Sequence, residues 1–426
     1  MKLFKVLAPA VALMLLAAAC SSPAVTGIKV HIQNGEYPEA IHLADSVLGG
    51  AESANAEVWY WKGRAHSMIK EWEDAAEAFS EAYTLDPAYG AELAAYWPAF
   101  YNTAATYTQD GNIDGAMNML ETGKSIVPTR PEFDQMLGDI ALNQNNYDTA
   151  LERFEASIEI AMEQIGLYQQ SIAESSDPAF IEQATEDMNR MQASVVLSSY
   201  NSGAILKNFF INADTDEEAE SYLNQAVEIY RSAIEIDPSS ADLMTGLAEF
   251  YILSQQYDEA LGIYDDALAA IQNGVDEGWI TDEDAEEMIA GVLLTRGFTF
   301  IEMERYDEGI QALEECRAKL GDTYQVLAMI GHANFIMENY DESIAVMSQL
   351  TDKQGLTAEE YANAWYMLYA NYIRLEEDQM ALQAILAAIE YDGENADYYE
   401  YLAQTYSTLG RNQQAMEAMQ KAESLR

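Results

Sequence analysis

A small residue that opens the second helix of a helical hairpin recurs along this chain at a fixed interval. Ala116 to Ala150, Ala226 to Ala260, Gly309 to Ser343 and Ala381 to Ala415 are each 34 residues apart. The other intervals are that period plus an insertion: 41 from Ala75 to Ala116, 76 from Ala150 to Ala226, 49 from Ala260 to Gly309 and 38 from Ser343 to Ala381. A repeat of two amphipathic helices cannot bury its apolar face alone, so neighbouring copies stack. The period therefore predicts an all-α chain, an α-solenoid of antiparallel helix pairs about nine to ten units long.

One unit can be read in full. Trp59, Lys62-Gly63 and His66 lead to Ala75, Phe79, Ala82 and Pro87. The small residues let two helices approach closely, and the large ones fill the gap to the next hairpin. Asp86-Pro87 and Asp237-Pro238 end second helices, because the residue before proline is pushed out of the α region. These residues at these spacings resemble the tetratricopeptide repeat. Partial matches follow at Leu137-Gly138 with Ala150 and Phe154, at Leu247-Ala248 with Tyr264 and Ala267, and at Ile330-Gly331 with Ser343 and Met347. Trp365, Leu368, Ala381 and Ala388, then Leu402-Ala403 with Ala415, complete the series, which covers most of residues 24–426. The resemblance implies a right-handed solenoid and a scaffold that binds protein or peptide partners. It does not imply a reaction, since this family is defined by its fold.

The turn inside each hairpin also repeats, as in Trp72-Glu73-Asp74-Ala75, Tyr147-Asp148-Thr149-Ala150, Tyr257-Asp258-Glu259-Ala260 and Tyr340-Asp341-Glu342-Ser343. The aromatic packs back on its own hairpin, and the acids occupy the first turn of the second helix, where the helix dipole favours them.

With 72 acids against 21 bases, the chain carries a net charge of −51. Such a chain repels nucleic-acid phosphates, so no nucleic-acid partner is expected. The four histidines, His31, His42, His66 and His332, have no second metal ligand at helical spacing. No Gly-Lys-Ser/Thr loop, Gly-x-Ser-x-Gly turn or Cys/His cluster is present, so no enzyme, cofactor or metal site is expected. Asn212, Asp214, Asp216 and Glu218 alternate like calcium ligands, but the glycine and spaced terminal glutamate of such loops are missing, and helix-opening acids are the better reading. Cys316 falls where other units place Ala82, Ala267 or Ala388, and is read as a buried thiol.

The N-terminus reads as an address and an anchor. Lys2 and Lys5 precede an apolar stretch from Val6 to Ala19 that is too short to span a bilayer. Its end, Leu16-Ala17-Ala18-Ala19-Cys20, resembles a bacterial lipoprotein signal peptide, which implies a signal over 1–19 and palmitate-type acylation of Cys20. Ala17 departs from the Leu or Ile of that pattern, which leaves cleavage by the general signal peptidase open. Ser21 resembles the outer-membrane-directed class. The resemblance implies a chain lipid-anchored to the outer membrane, facing the periplasm, with 20–426 as the solenoid.

Insertions are expected at about 160–206, 207–220 and 271–290. The first predicts a helix from Tyr147 to about Glu174 and a second from Pro178 to about Ile211, either as longer packed hairpins or as a lateral docking arm. Thr281 followed by Asp284 resembles a capping box.

In the resembled family the first helices of successive hairpins line the concave surface. Helical spacing then selects groove candidates: Tyr60 and Arg64, Tyr101, Leu294 and Phe298, His332 and Phe335, Tyr366 and Arg374. These positions are rich in aromatics, which fill contacts between hairpins or anchor a peptide. The competing reading is a surface lipoprotein that captures glycans or small molecules.

Overall fold

The computed structural model describes residues 22–50 and 52–426, so Cys20 and the signal segment lie outside the described residues. The described chain is helical throughout, an α-solenoid of antiparallel helix pairs. It forms two compact units, one ending at Phe209 and one running Phe210–Arg426.

In the first unit the hairpins are α1 (Pro23–Gln33) with α2 (Tyr37–Leu48), α3 (Ala56–Met68) with α4 (Trp72–Leu85), and α5 (Trp97–Gln109) with α6 (Ile113–Ile126). Then α7 (Pro131–Asn143) pairs with α8 (Tyr147–Glu174), and α9 (Pro178–Ile211) packs on both. The second unit holds α10 (Asp216–Ile236), then α11 (Ala241–Leu253) with α12 (Tyr257–Glu277), and α13 (Asp282–Glu302) with α14 (Tyr306–Leu320). It ends with α15 (Tyr324–Ile336) and α16 (Tyr340–Asp352), α17 (Ala358–Arg374) and α18 (Asp378–Tyr391), and α19 (Ala396–Thr408) and α20 (Asn412–Leu425).

The insertions are absorbed mainly as extra helical turns. α17 has 17 residues where α15 and α19 have 13, which is the surplus in the 38-residue interval. α12 and α13 have 21 residues each, which lengthens the adjoining helices of two successive hairpins over 271–290. α8, α9 and α10 reach 28, 34 and 21 residues and account for the 76-residue interval. The 41-residue interval differs, because short helical turns fill 87–96 between α4 and α5.

One backbone position fixes every regular hairpin. Gly35, Lys70, Gly111, Asn145, Gln255, Glu304, Glu338, Glu376 and Gly410 all have positive φ, and each lies five residues before a repeat small residue. The following amide donates to the carbonyl five residues back, as Glu71 to His66 (3.0 Å) and Asn112 to Tyr107 (2.8 Å). This is the six-to-one closure of a helix by a left-handed residue, and it reverses the chain in a single step. A side chain in that conformation costs about 1–2 kcal/mol, partly offset by the chain entropy glycine loses. Glu338→Gly (φ 64°) is therefore expected to stabilise the fold by about 0.5–1 kcal/mol. A chemical-denaturation midpoint that falls instead would show that Glu338 makes a compensating contact.

The small first-helix residues are packing sites. A Cβ added at Gly63 would lie 2.6 Å from the Phe79 ring, and one at Gly138 would lie 2.7 Å from Phe154. Phe79, Phe100, Phe133 and Phe154 fill the first core, and Phe250, Tyr264, Met347 and Ile385 are buried in the second.

Candidate functional site: the first-helix faces

Side chains on the first helices of successive hairpins are the groove candidates. In the first unit they divide sharply by burial. Tyr60 is only 7% exposed. Its ring lies 5.1 Å from Tyr89, 5.4 Å from Trp61 and 6.1 Å from Tyr96. Burial pushes its phenol well above the usual range, with Tyr96 adding to the effect. Arg64 lies beside it, its guanidinium 4.2 Å from the Trp61 ring and 5.6 Å from Tyr96. Arg64 has no ion pair among the described residues, so the aromatic faces are its partners. Tyr60 is thus a packed element, whereas Arg64 is half-exposed on the same face.

Tyr101 is half-buried and meets Trp97 edge-on at 5.6 Å. Its phenol is raised by burial, then by the carboxylates of Asp139 and Glu132 on α7. Glu132 sits near Arg130 at 4.0 Å, and burial holds its carboxyl above the usual range.

In the second unit, Phe298 is 42% exposed. His332 and Arg374 are also exposed. Leu294 is half-buried against the core that holds Leu293 and Leu313. Phe335 is half-buried and packs on Tyr340, 5.7 Å away. Tyr366 belongs to a ring stack, 5.6 Å from Tyr398 and 5.5 Å from Tyr401, both on α19. Its phenol is pushed up to about 12, by burial first and then by Tyr401. The free surface in this unit is therefore Phe298, His332 and Arg374, joined by Ile336 and Ile373, which helical spacing had not selected and which are 40% and 37% exposed.

Elsewhere the helix-opening acids do local work. Thr215 caps α10 by accepting from the Glu218 amide, while Glu218 accepts from the Asp214 amide. Thr281 accepts from the Asp284 amide and donates its hydroxyl to the Asp284 carboxylate. The full reciprocal capping box is at Thr357 and Glu360. The Cys316 thiol is buried, donates to the Ala290 carbonyl at 3.2 Å, and is raised by burial.

The hairpin turn at Lys70 does what helical spacing could not foresee for His66. It brings the imidazole within reach of Glu71 (2.7 Å) and places His66, Glu71 and Asp74 ligand atoms within 4.8 Å of one another. The other ring nitrogen, Nε2, is buried with no hydrogen-bond partner.

Among the described residues no helix is long and apolar enough to cross a membrane. Three family models described as tetratricopeptide repeat match residues 27–90, 219–279 and 396–426, so repeats of this family are present in both units. No curated protein matches the chain. Solved structures match the chain at low identity and low TM-score. A tetratricopeptide repeat protein from Parabacteroides merdae is 16% identical with a TM-score of 0.41, over 69% of this chain and 93% of that one. MamA from Desulfovibrio magneticus is 16% identical with a TM-score of 0.36, over 43% and 94%. YrrB, described as having an unusual peptide-binding site, is 18% identical with a TM-score of 0.35, over 47% and 94%.

Proposed function

We propose that this protein is a non-catalytic, lipid-anchored scaffold of the bacterial cell envelope. In this reading Cys20 holds it in the outer membrane, facing the periplasm, and the first-helix faces bind a protein or peptide partner. The observation that supports partner binding is the exposed set Phe298, His332, Ile336, Ile373 and Arg374 on neighbouring first helices. Large apolar side chains left in water beside a cation are what an interface anchor needs.

The test is crosslinking in membranes followed by purification. One stoichiometric protein is the expected product, and bound oligosaccharide without protein would favour glycan capture. Because Tyr366 is built into a ring stack, the informative variant is Phe298→Ala with His332→Ala, both on the free surface. It is expected to weaken partner binding by more than about 1 kcal/mol with an unchanged melting temperature.

The anchor has its own test. Acyl chains contribute about 0.8 kcal/mol per buried CH₂, so losing them changes partitioning completely. Cys20→Ser is expected to move the protein to the soluble periplasmic fraction and to abolish fatty-acid labelling. Retention of both properties would overturn the anchor.

A further inference from the structure

The turn between α3 and α4 gathers three side chains of metal-ligating type, at a spacing that belongs to no single helix. His66 lies in the last turn of α3, Glu71 is the residue that caps α4, and Asp74 lies in the first turn of α4. The left-handed Lys70 (φ 62°) folds one helix end back on the other, and the Glu71 amide donates to the His66 carbonyl at 3.0 Å. The backbone therefore holds the first two residues together before any side chain is placed. His66 Nδ1 lies 2.7 Å from a Glu71 carboxylate oxygen, and one ligand atom from each of the three residues lies within 4.8 Å of the others. Ligands bound to one cation at about 2.1 Å stand about 3–4 Å apart, so small rotations would close these three on a single ion.

The imidazole is a fixed ligand. His66 is 6% exposed, whereas Glu71 and Asp74 are exposed, so the cluster has a rigid buried side and a side open to water. The His66 ring bonds only to Glu71, itself a member of the cluster, and Asp74 has no hydrogen bond or ion pair among the described residues. A metal on Nδ1 takes the place of the proton facing Glu71 and leaves the ring proton on Nε2. Nε2 has no partner in either state, so no bond is lost there. The preceding hairpin supplies a comparison. His31, Glu36 and Glu39 stand at the same spacing around the turn at Gly35, and His31 Nδ1 is likewise 2.7 Å from Glu36. There the histidine is half-exposed, and among the described residues only the His66 set brings three ligand atoms together. The histidine–glutamate pair thus belongs to the turn in both hairpins, while burial and the third ligand belong to the second alone.

We propose that His66, Glu71 and Asp74 bind a divalent first-row transition cation such as Zn²⁺, through Nδ1 and two carboxylate oxygens, with water completing its shell on the exposed side. One nitrogen with two oxygens favours such an ion over Mg²⁺ or Ca²⁺, which take oxygen ligands. Two carboxylates balance its charge, and a chain at −51 raises the local concentration of any cation. Bound there, the ion pins the end of α3 to the start of α4. The site is independent of the partner-binding reading.

The test uses the purified chain without its signal segment, stripped with EDTA and dialysed against Zn²⁺ in excess Mg²⁺. One zinc per chain is expected to be retained, with a rise in melting temperature. In histidine ¹⁵N spectra Zn²⁺ is expected to shift the ring nitrogens of one histidine, with metal on Nδ1, and His66→Gln is expected to lack that signal. His66→Gln alters a buried ring, so variants of the two exposed acids carry the affinity test. Asp74→Asn and, separately, Glu71→Gln are each expected to weaken zinc binding at least tenfold, with metal-free melting curves as the control for the fold. Glu36→Gln with Glu39→Gln removes two acids from the neighbouring hairpin and is expected to bind zinc like the wild type. Displacement of zinc by Mg²⁺, wild-type affinity in Asp74→Asn or Glu71→Gln, or an equal loss in the Glu36/Glu39 variant would overturn the proposal by showing diffuse attraction to an acidic surface. A zinc-induced shift at His31 or His42 instead of His66 would overturn it by placing the ion in the preceding hairpin. Partner crosslinking is read separately, so none of these outcomes decides the scaffold reading.

Discussion

Replacing Lys124 and Arg153 together with methionine is expected to destabilise the first unit by about 3–5 kcal/mol, the cost of leaving a buried charge uncompensated. The charge is Asp134, which is fully buried. Lys124 Nζ donates to its Oδ1 at 2.6 Å, and Arg153 Nη1 donates to the same oxygen at 3.1 Å. The other oxygen has no hydrogen-bond partner, so the two cations carry the compensation. They tie together α6, α7 and α8, and Arg153 also reaches Glu121 at 2.6 Å. Urea unfolding of the double variant measures the loss. Adding Asp134→Leu is expected to recover most of it, because an apolar side chain suits a buried site and the unpaired charge is gone. A triple variant no more stable than the double would mean that the lost methylene packing of Lys124 and Arg153, not charge, was responsible.

Asp134 also shows where a repeat pattern stops being informative. It stands sixteen residues before Ala150, as Trp59 does before Ala75 and Trp365 before Ala381. The pattern marks the position as buried and interior, but only the assembled hairpins reveal two cations from neighbouring helices that make a carboxylate tolerable there. The period itself was legible, because small residues at 34-residue spacing have one physical use. The long α8 and α9 were also implied by the 76-residue interval, whereas a surplus alone does not say whether it becomes extra turns, as in α12, α13 and α17, or separate short turns, as over 87–96. The left-handed turn residues were not legible, as only Gly35, Gly111 and Gly410 of that set are glycines.

The candidate groove was half-legible for a similar reason. Helical spacing tells which face a side chain lies on, not what folds over that face. Tyr60 lies on the first-helix face, but Tyr89 and Tyr96 from the insertion after α4 cover it. Tyr366 is likewise closed in by Tyr398 and Tyr401 from the next hairpin. Phe298 has no such cover.

The same tyrosine stack gives the second large effect, a loss of stability at alkaline pH. Tyr366 and Tyr398 are each pushed up to about 12, chiefly by burial, and Tyr369 and Tyr324 are raised from the same cause. The sign follows from proton uptake. Above pH about 10 the unfolded chain releases these phenolic protons while the folded chain holds them, so unfolding is favoured as pH rises. The stabilisation is fully present below about 10 and is lost progressively toward 12. One pKa unit corresponds to about 1.4 kcal/mol, and screening at the half-buried Tyr366 reduces that, so about 1–2 kcal/mol from each of Tyr366 and Tyr398 is expected to disappear by pH 12. Thermal melts between pH 9 and 11.5, read alongside phenolate absorbance, should show the two changes rising together. Tyr366→Phe with Tyr398→Phe keeps the ring contacts and removes two of the titrating groups, so its melting temperature should fall less over that range. Deprotonation of lysines and the growing net negative charge affect both proteins equally. An identical fall in the phenylalanine variant would therefore locate the alkaline sensitivity outside the stack.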